Sequence, residues 1–148
     1  MDIWEKYRNQ TDQTICIIGV IILGVKLCEA DGHFSNHERD EILRTIPHHK
    51  NKEKALLEII NDAENDDNTI DHHAEIIKKF IDKGHKDFLL FIIAVLVKFA
   101  KSDHRYSEIE KTTIERVVKI FGLDNKNIIQ KSIENIVSKY FNKVSNYG

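Results

Sequence analysis

Two aspartates, Asp31 and Asp103, each close a long apolar run and are followed at identical spacing by an aromatic residue, a serine and, three residues beyond it, a glutamate. The first copy runs from Lys26 through Asp31, Phe34 and Ser35 to Glu38, the second from Lys98 through Asp103, Tyr106 and Ser107 to Glu110. The chain therefore contains an internal duplication with an acidic turn in each copy. Oxygen donors brought together in this way suit a hard divalent cation. Each aspartate also sits at the C-terminal end of its run, where the aligned carbonyls of a helix disfavour a negative charge by ~0.3–1 kcal/mol. Something must compensate in both copies. One candidate is an Asx-type bond from the carboxylate to the N–H groups of the turn. The other is a bound cation that shares the helix-end carbonyls and the nearby glutamate.

The serine and glutamate of each copy have a structural assignment of their own. Ser35 with Glu38, and Ser107 with Glu110, match the S-x-x-E capping box. There the hydroxyl accepts from the third helical N–H, and the carboxylate reaches back to the N–H of the cap. Gly32 suits the left-handed position past a helix end, and Phe34 and Tyr106 are expected to wedge between the helices that each turn joins. About four residues separate the paired helices, which makes each copy an antiparallel helical hairpin.

The elements that must hold these turns follow from periodicity. Ile15 to Val25 and Phe88 to Val97 are apolar almost without interruption but are shorter than the ~20 residues needed to span a bilayer. They read as a central pair of buried helices, running from about 14 to 30 and from about 86 to 101. Gly19 and Gly24 on the first would let a neighbour approach closely. A short N-terminal helix carries Ile3, Trp4 and Tyr7. Ser35 opens a helix with Ile42, Leu43 and Ile46 that Pro47 ends. The next, from about 52 to 63, is expected to bury Leu56, Leu57, Ile59 and Ile60. A polar loop follows from Asn61 to Asn68, and Thr69 or Asp71 then caps a helix with Ile76, Ile77, Phe80 and Ile81, which Gly84 stops. Ser107 opens a helix with Ile114, Val117, Val118 and Phe121 that Gly122 ends. Asp124 caps a last helix in which Ile128, Ile129, Ile133, Ile136, Val137 and Phe141 recur every three or four residues. The expected fold is all-α: a single-domain bundle of about seven to eight helices over 1–148, in two pseudo-symmetric halves around the buried pair. The repeat units span about 14–47 and 86–122, and a C-terminal helix occupies 124–148.

Composition narrows the function classes. A chain of 148 residues can bury a sizeable core without disulfides or metal. Its single proline and six glycines give little punctuation for strands. A formal charge of −2 argues against a nucleic-acid binder driven by phosphate contacts. Charge is uneven: Asp62 to Glu75 contains no Lys or Arg, whereas Lys119, Lys126, Lys131, Lys139 and Lys143 make the C-terminal part basic. Both regions read as solvated faces. Cys16 and Cys28 lie twelve apart on one apolar helix, too far for a disulfide, and read as buried thiols of a reducing compartment. The N-terminus lacks the features of a secretory signal, so the chain is expected to be cytoplasmic.

An apolar helix ending in Ala-Asp-Gly, followed by an aromatic, a serine and a glutamate three on, with a second version later, resembles the TerB family of bacterial tellurite-resistance proteins. It is also similar to the N-terminal helical domain of DjlA-type co-chaperones. The similarity covers about Thr14 to Leu123. It implies an all-helical fold of two related halves and acidic residues that chelate a divalent metal, which on matching positions are Asp31, Glu38, Asp103 and Glu110. Mg²⁺, Ca²⁺ or Mn²⁺ fits that set better than Zn²⁺. It also implies a role in bacterial stress responses with other proteins of a membrane-linked complex, and so a peripheral contact with the inner membrane. The second copy departs from the pattern, with Ser102-Asp103-His104 in place of Ala-Asp-Gly. There is no His-Pro-Asp tripeptide, hence no J-domain.

Other constellations are weaker. His33 and His37 flank the first cap and read as exposed polar residues. A calcium loop starting at Asp62 fails, because Asp67 stands where the turn glycine belongs and His73 where the bidentate glutamate belongs. Lys26 and Lys98 are expected to snorkel from the core helices or pair with an acid. No Gly-rich phosphate loop, nucleophile elbow or Cys-x-x-Cys is present, so the chain reads as a binding protein rather than an enzyme. The competing reading is an interaction module whose acidic turns only cap helices.

Overall fold

The computed structural model describes residues 2–30, 32, 34–46, 48–81, 86–101 and 107–123. Among these residues there are α-helices and one short 3-10 turn, and no strand. In chain order the helices are α1 (Ile3–Lys6), α2 (Asp12–Ala30), α3 (Asn36–Thr45), α4 (Glu53–Glu64), α5 (Ile70–Phe80), α6 (Lys86–Lys101) and α7 (Glu108–Phe121). The expected all-α bundle is thus present. Pro47, Gly84, Tyr106, Asp124 and the expected last helix lie outside the described residues.

Helix α2 organises the rest. Every residue from Ile15 to Cys28 is buried, because a helix with no polar face can be stable in water only when neighbours surround it. Its neighbours are α3, α4, α5, α6 and α7. Each fully buried Ile, Leu or Val contributes about 1.5–3 kcal/mol relative to an exposed one, and this helix supplies Ile17, Ile18, Ile21, Ile22, Leu23 and Leu27 to that count. Among the described helices α2 alone has the length and apolarity to cross a bilayer, but 78 % of the relevant window is buried inside the fold. It is the core helix, and it packs on α6 as the equivalent positions in the repeat predicted. Helix α6 buries Phe88, Leu89, Phe91 to Val97, Phe99 and Ala100.

The two glycines of α2 meet other partners than α6. A Cβ at Gly19 would stand 2.9 Å from Ile77 Cδ1 of α5, and one at Gly24 would stand 3.4 Å from Ile42 Cδ1 of α3. Gly19 therefore admits α5, and Gly24 faces a small apolar space lined by Val20, Ile42, Val95, Leu96 and Phe99. Both cysteines are buried thiols on α2, and burial pushes the Cys16 thiol well up, away from thiolate reactivity.

Local signals fix most helix ends. The Thr69 hydroxyl, rather than Asp71, caps α5 by accepting from His72 N at 3.2 Å. Gly122, at φ +73°, ends α7, with Gly122 N donating to Lys119 O and Leu123 N to Val118 O, the paired bonds of a Schellman motif. Helix α3 stops at Thr45, and Ile46 turns extended.

Two expectations need correction. Leu57 is 37 % exposed, because the buried face of α4 is Leu56, Ile59, Ile60 and Ala63, a stripe that position 57 falls outside. Asn61 to Glu64 form the last turn of α4 rather than loop; their polar side chains lie on a helix whose inner face is already supplied by Ile60 and Ala63.

The glycine contacts generate a test. Gly24→Ala should raise stability by about 0.5–1 kcal/mol, the usual gain for removing an interior helical glycine where the methyl fits. Gly19→Ala should lower the melting temperature, because its methyl meets the buried Ile77 side chain. Thermal unfolding of the two variants beside the parent checks both signs.

Candidate functional site

The described parts of the two acidic turns share a capping box. After α2 the chain passes Gly32, whose φ of +111° lies in the region that favours glycine. It then reaches Phe34, half-buried against the core, with the Arg39 guanidinium 5.6 Å from its ring centroid. Ser35 caps α3: Glu38 N donates to Ser35 Oγ at 3.4 Å, and Ser35 N donates to Glu38 Oε2 at 3.0 Å. At the start of α7, Glu110 N donates to Ser107 Oγ at 3.1 Å and Ser107 N to Glu110 Oε1 at 3.0 Å. Both expected capping boxes are therefore formed, each fixing a carboxylate at the head of its helix. Glu110 is buried and Glu38 half-buried.

Asp31 and Asp103, the other half of the proposed ligand set, lie outside the described residues, as does His33. Among the described residues no group of three or more His, Cys, Asp or Glu side chains is placed to hold a metal ion. The described part of each turn offers one carboxylate, so a cation at these turns would need the aspartates as further donors. The chemistry of the set, carboxylate oxygen throughout, fits a hard cation such as Mg²⁺, Ca²⁺ or Mn²⁺. His37 is exposed, in keeping with its reading as a surface residue.

A second polar constellation lies inside the fold, and its principal member is a histidine that the sequence showed only as a misfit to a calcium loop. Lys26 is buried on α2 and donates to Asp66 O at 2.5 Å, with Glu29 Oε1 at 3.1 Å and Asp66 Oδ2 at 3.7 Å. His73 of α5, completely buried, lies with Nε2 2.6 Å from Asp66 Oδ2. Its Nδ1 accepts from the Trp4 indole N–H at 2.9 Å. The indole can only donate, so the imidazole is neutral with its hydrogen on Nε2, and that hydrogen is donated to Asp66. Asn68 adds two bonds to the Asp66 carboxylate, from its backbone N at 3.0 Å and its Nδ2 at 3.1 Å. One signal was available in the sequence: position 73 falls on the buried stripe of Ile70, Ala74 and Ile77.

The acidic stretch from Asp62 to Glu75 is consequently not simply a solvated face. Lys6 of α1 pairs with Asp62 at 2.8 Å and with Glu58 at 2.6 Å, and the Tyr7 hydroxyl donates to Asp62 at 2.7 Å. Arg39 of α3 pairs with Glu64, Lys26 of α2 with Asp66, and Arg116 of α7 with Asp71 at 3.2 Å. Four helices thus send one cation each to a segment that has none of its own. Burial pushes the Tyr7 phenol up and its bond to Asp62 adds to the shift. Burial would raise the Asp62 and Asp66 carboxyls, but the hydrogen bonds from Lys6 and Tyr7, and from His73 and Asn68, outweigh it and hold both below their ordinary value.

The sequence matches the family model of tellurite resistance protein TerB over residues 18–132. The chain belongs to the TerB family. The match begins within α2 and runs past Leu123, the last described residue, so both acidic turns and the whole 62–75 segment fall inside it, while α1 and Trp4 precede it. No curated protein and no solved structure matches the chain. The family assignment agrees with the all-helical architecture expected from the repeated turn.

Two outcomes follow from the geometry of this TerB-family site. Removing a cap hydroxyl, in Ser35→Ala or Ser107→Ala, should cost about 1 kcal/mol each, read as a shift in the denaturant midpoint without change in slope. The depressed carboxyls of Asp62 and Asp66 set an acid limb: the unfolded chain binds those protons more readily. Their contribution to stability is therefore complete above about pH 4 and drains away as pH falls through the lower folded values. Acid unfolding followed by circular dichroism should show that limb displaced in Asp66→Asn.

Proposed function

We propose that this TerB-family chain is a non-enzymatic binding module of a bacterial stress response. In this reading Asp31, Glu38, Asp103 and Glu110 hold a divalent cation, Mg²⁺, Ca²⁺ or Mn²⁺ in preference to Zn²⁺. The observation that carries the reading is the duplication of the turn together with its geometry. In both copies a capping box fixes the glutamate carboxylate against the first turn of the following helix, at the same interval after an aspartate that the helix end disfavours. A cation would supply the positive charge that the aspartate of each turn calls for. The protein would act in the cytoplasm, in contact with other proteins of a membrane-linked complex and at the periphery of the inner membrane, with no role for nucleic acid.

A second reading has an observation of its own. The capping boxes are complete, so Ser35, Glu38, Ser107 and Glu110 have a purely structural role available to them, and the module could serve by docking a protein partner alone. Calorimetric titration with Ca²⁺, Mg²⁺, Mn²⁺ and Zn²⁺ separates the two, run on the parent and on the folded Asp31→Ala/Asp103→Ala variant. Under the first reading the parent binds stoichiometrically and the variant does not. Absence of binding in the parent at millimolar metal removes the metal reading and leaves the capping one.

A further inference from the structure

The buried relay at His73 has a consequence independent of the acidic turns. Helix α1 is only four residues long, far too short to persist alone, so what keeps it in place is what it touches. Its N-cap Asp2 accepts from Trp4 N at 3.1 Å. On its outer side Lys6 and Tyr7 reach Glu58 and Asp62 of α4 through contacts that are at least partly exposed. Its buried attachments are Ile3, 7 % exposed, and Trp4, 3 % exposed; of the two only Trp4 has a polar group, and it stands edge-on to Phe80 with ring centroids 5.7 Å apart and donates its indole hydrogen to His73 Nδ1.

His73 has one position left for a proton, and Trp4 occupies its approach. A hydrogen on Nδ1 would face the indole hydrogen, and Trp4, having no acceptor function, cannot reverse the bond. We propose that α1 is a proton-released strap: uptake of a proton at His73 Nδ1 removes the acceptor that holds the Trp4 indole, and the first helix lets go of α5 while α2 to α7 keep their own core. Release would remove one wall of a groove of about 580 Å³ that Trp4 and Glu5 of α1 line together with Ile15, Ile76 and Phe80.

The groups facing His73 set the direction. From the α4–α5 loop, Asp66 favours the proton; from α2, Lys26 opposes it; from α5 itself, His72 opposes it, its ring centroid 5.4 Å away. From α1 the facing group is the uncharged Trp4 indole, with Asp2 one step behind, 3.5 Å from His72 Nε2. Burial is the largest influence and the net shift is downward from the ordinary value. A folded value below the unfolded one means that the stability given by neutral His73 is fully present above about pH 6.5 and is lost as pH falls toward the folded value. The Trp4 indole is held by His73 and not by His72, so His72 is not the trigger.

Trp4 is the only tryptophan of the chain, so its emission reports the strap directly. Between pH 8 and pH 5 the parent should show a reversible red shift with a midpoint below 6.5 while far-UV circular dichroism stays constant. His73→Gln should abolish the shift, because its amide oxygen accepts from the indole, its NH₂ donates to Asp66, and it takes up no proton. His72→Gln should retain the shift. An emission spectrum that does not move, a shift that survives His73→Gln, or a shift coincident with loss of helicity overturns the proposal. Should His73→Gln fail to fold, the indole N–H resonance of the parent takes its place. Movement in step with the His73 ring protons supports the strap, and movement independent of them overturns it.

Discussion

Burial of α2 on every side is the constraint from which the other elements take their places. A helix that is apolar around its whole circumference leaves no face for water, so five other helices are needed to cover it, and their lengths and order follow from that need. The one charge in the buried run, Lys26, adds a second demand. A buried ammonium is tolerated only with partners, and the α4–α5 loop delivers them by presenting Asp66 O and its carboxylate to the interior. The loop is in turn held by His73 and Asn68, and His73 by Trp4. A polar chain therefore passes from α2 through the loop and α5 to α1, tying the short first helix to the core helix.

The capping boxes of the duplicated turns open the two helices that follow the core pair. Each follows one of the two core helices, α2 or α6, and opens a more amphipathic helix, α3 or α7. The capping boxes explain why the serine and glutamate recur, since both helices need their first N–H groups satisfied. They do not explain the aspartates, which the sequence sets at the ends of the two apolar runs, and that sequence position is what gives the proposed cation its physical reason. The TerB family assignment over 18–132 includes both turns, whereas Trp4 precedes the matched region. The proton-released strap is thus a property of this chain's own N-terminus meeting a histidine of the family domain.

The acidic segment shows how a charge run can mislead. Read along the chain, fourteen residues from Asp62 to Glu75 without Lys or Arg look like a solvated face, because nothing nearby in sequence balances them. In space Lys6, Lys26, Arg39 and Arg116 converge on them. Exposed pairs of this kind contribute little singly, and their value here is positional: each links the segment to a different helix. The buried member, Lys26 with Asp66, differs in kind, because removing one partner would leave the other charge without compensation in a poorly hydrated place.

The residues determined alone whatever depends on neighbours within about four positions. The Ser35 and Ser107 caps, the Gly122 stop, the buried run of α2 and the limits of α6 all stand in the structure as the sequence indicated, because capping and helical periodicity act over one turn. Tertiary structure decided the rest. Leu57 is exposed although it is as apolar as Leu56, since only one stripe of α4 meets the core. His73 is the centre of a relay whose partner Trp4 is 69 positions away, and Arg116 meets Asp71 across 45. Such pairings leave no periodic trace in the chain; they exist only because the demand to bury α2 brings α1, the α4–α5 loop and α7 around a common centre.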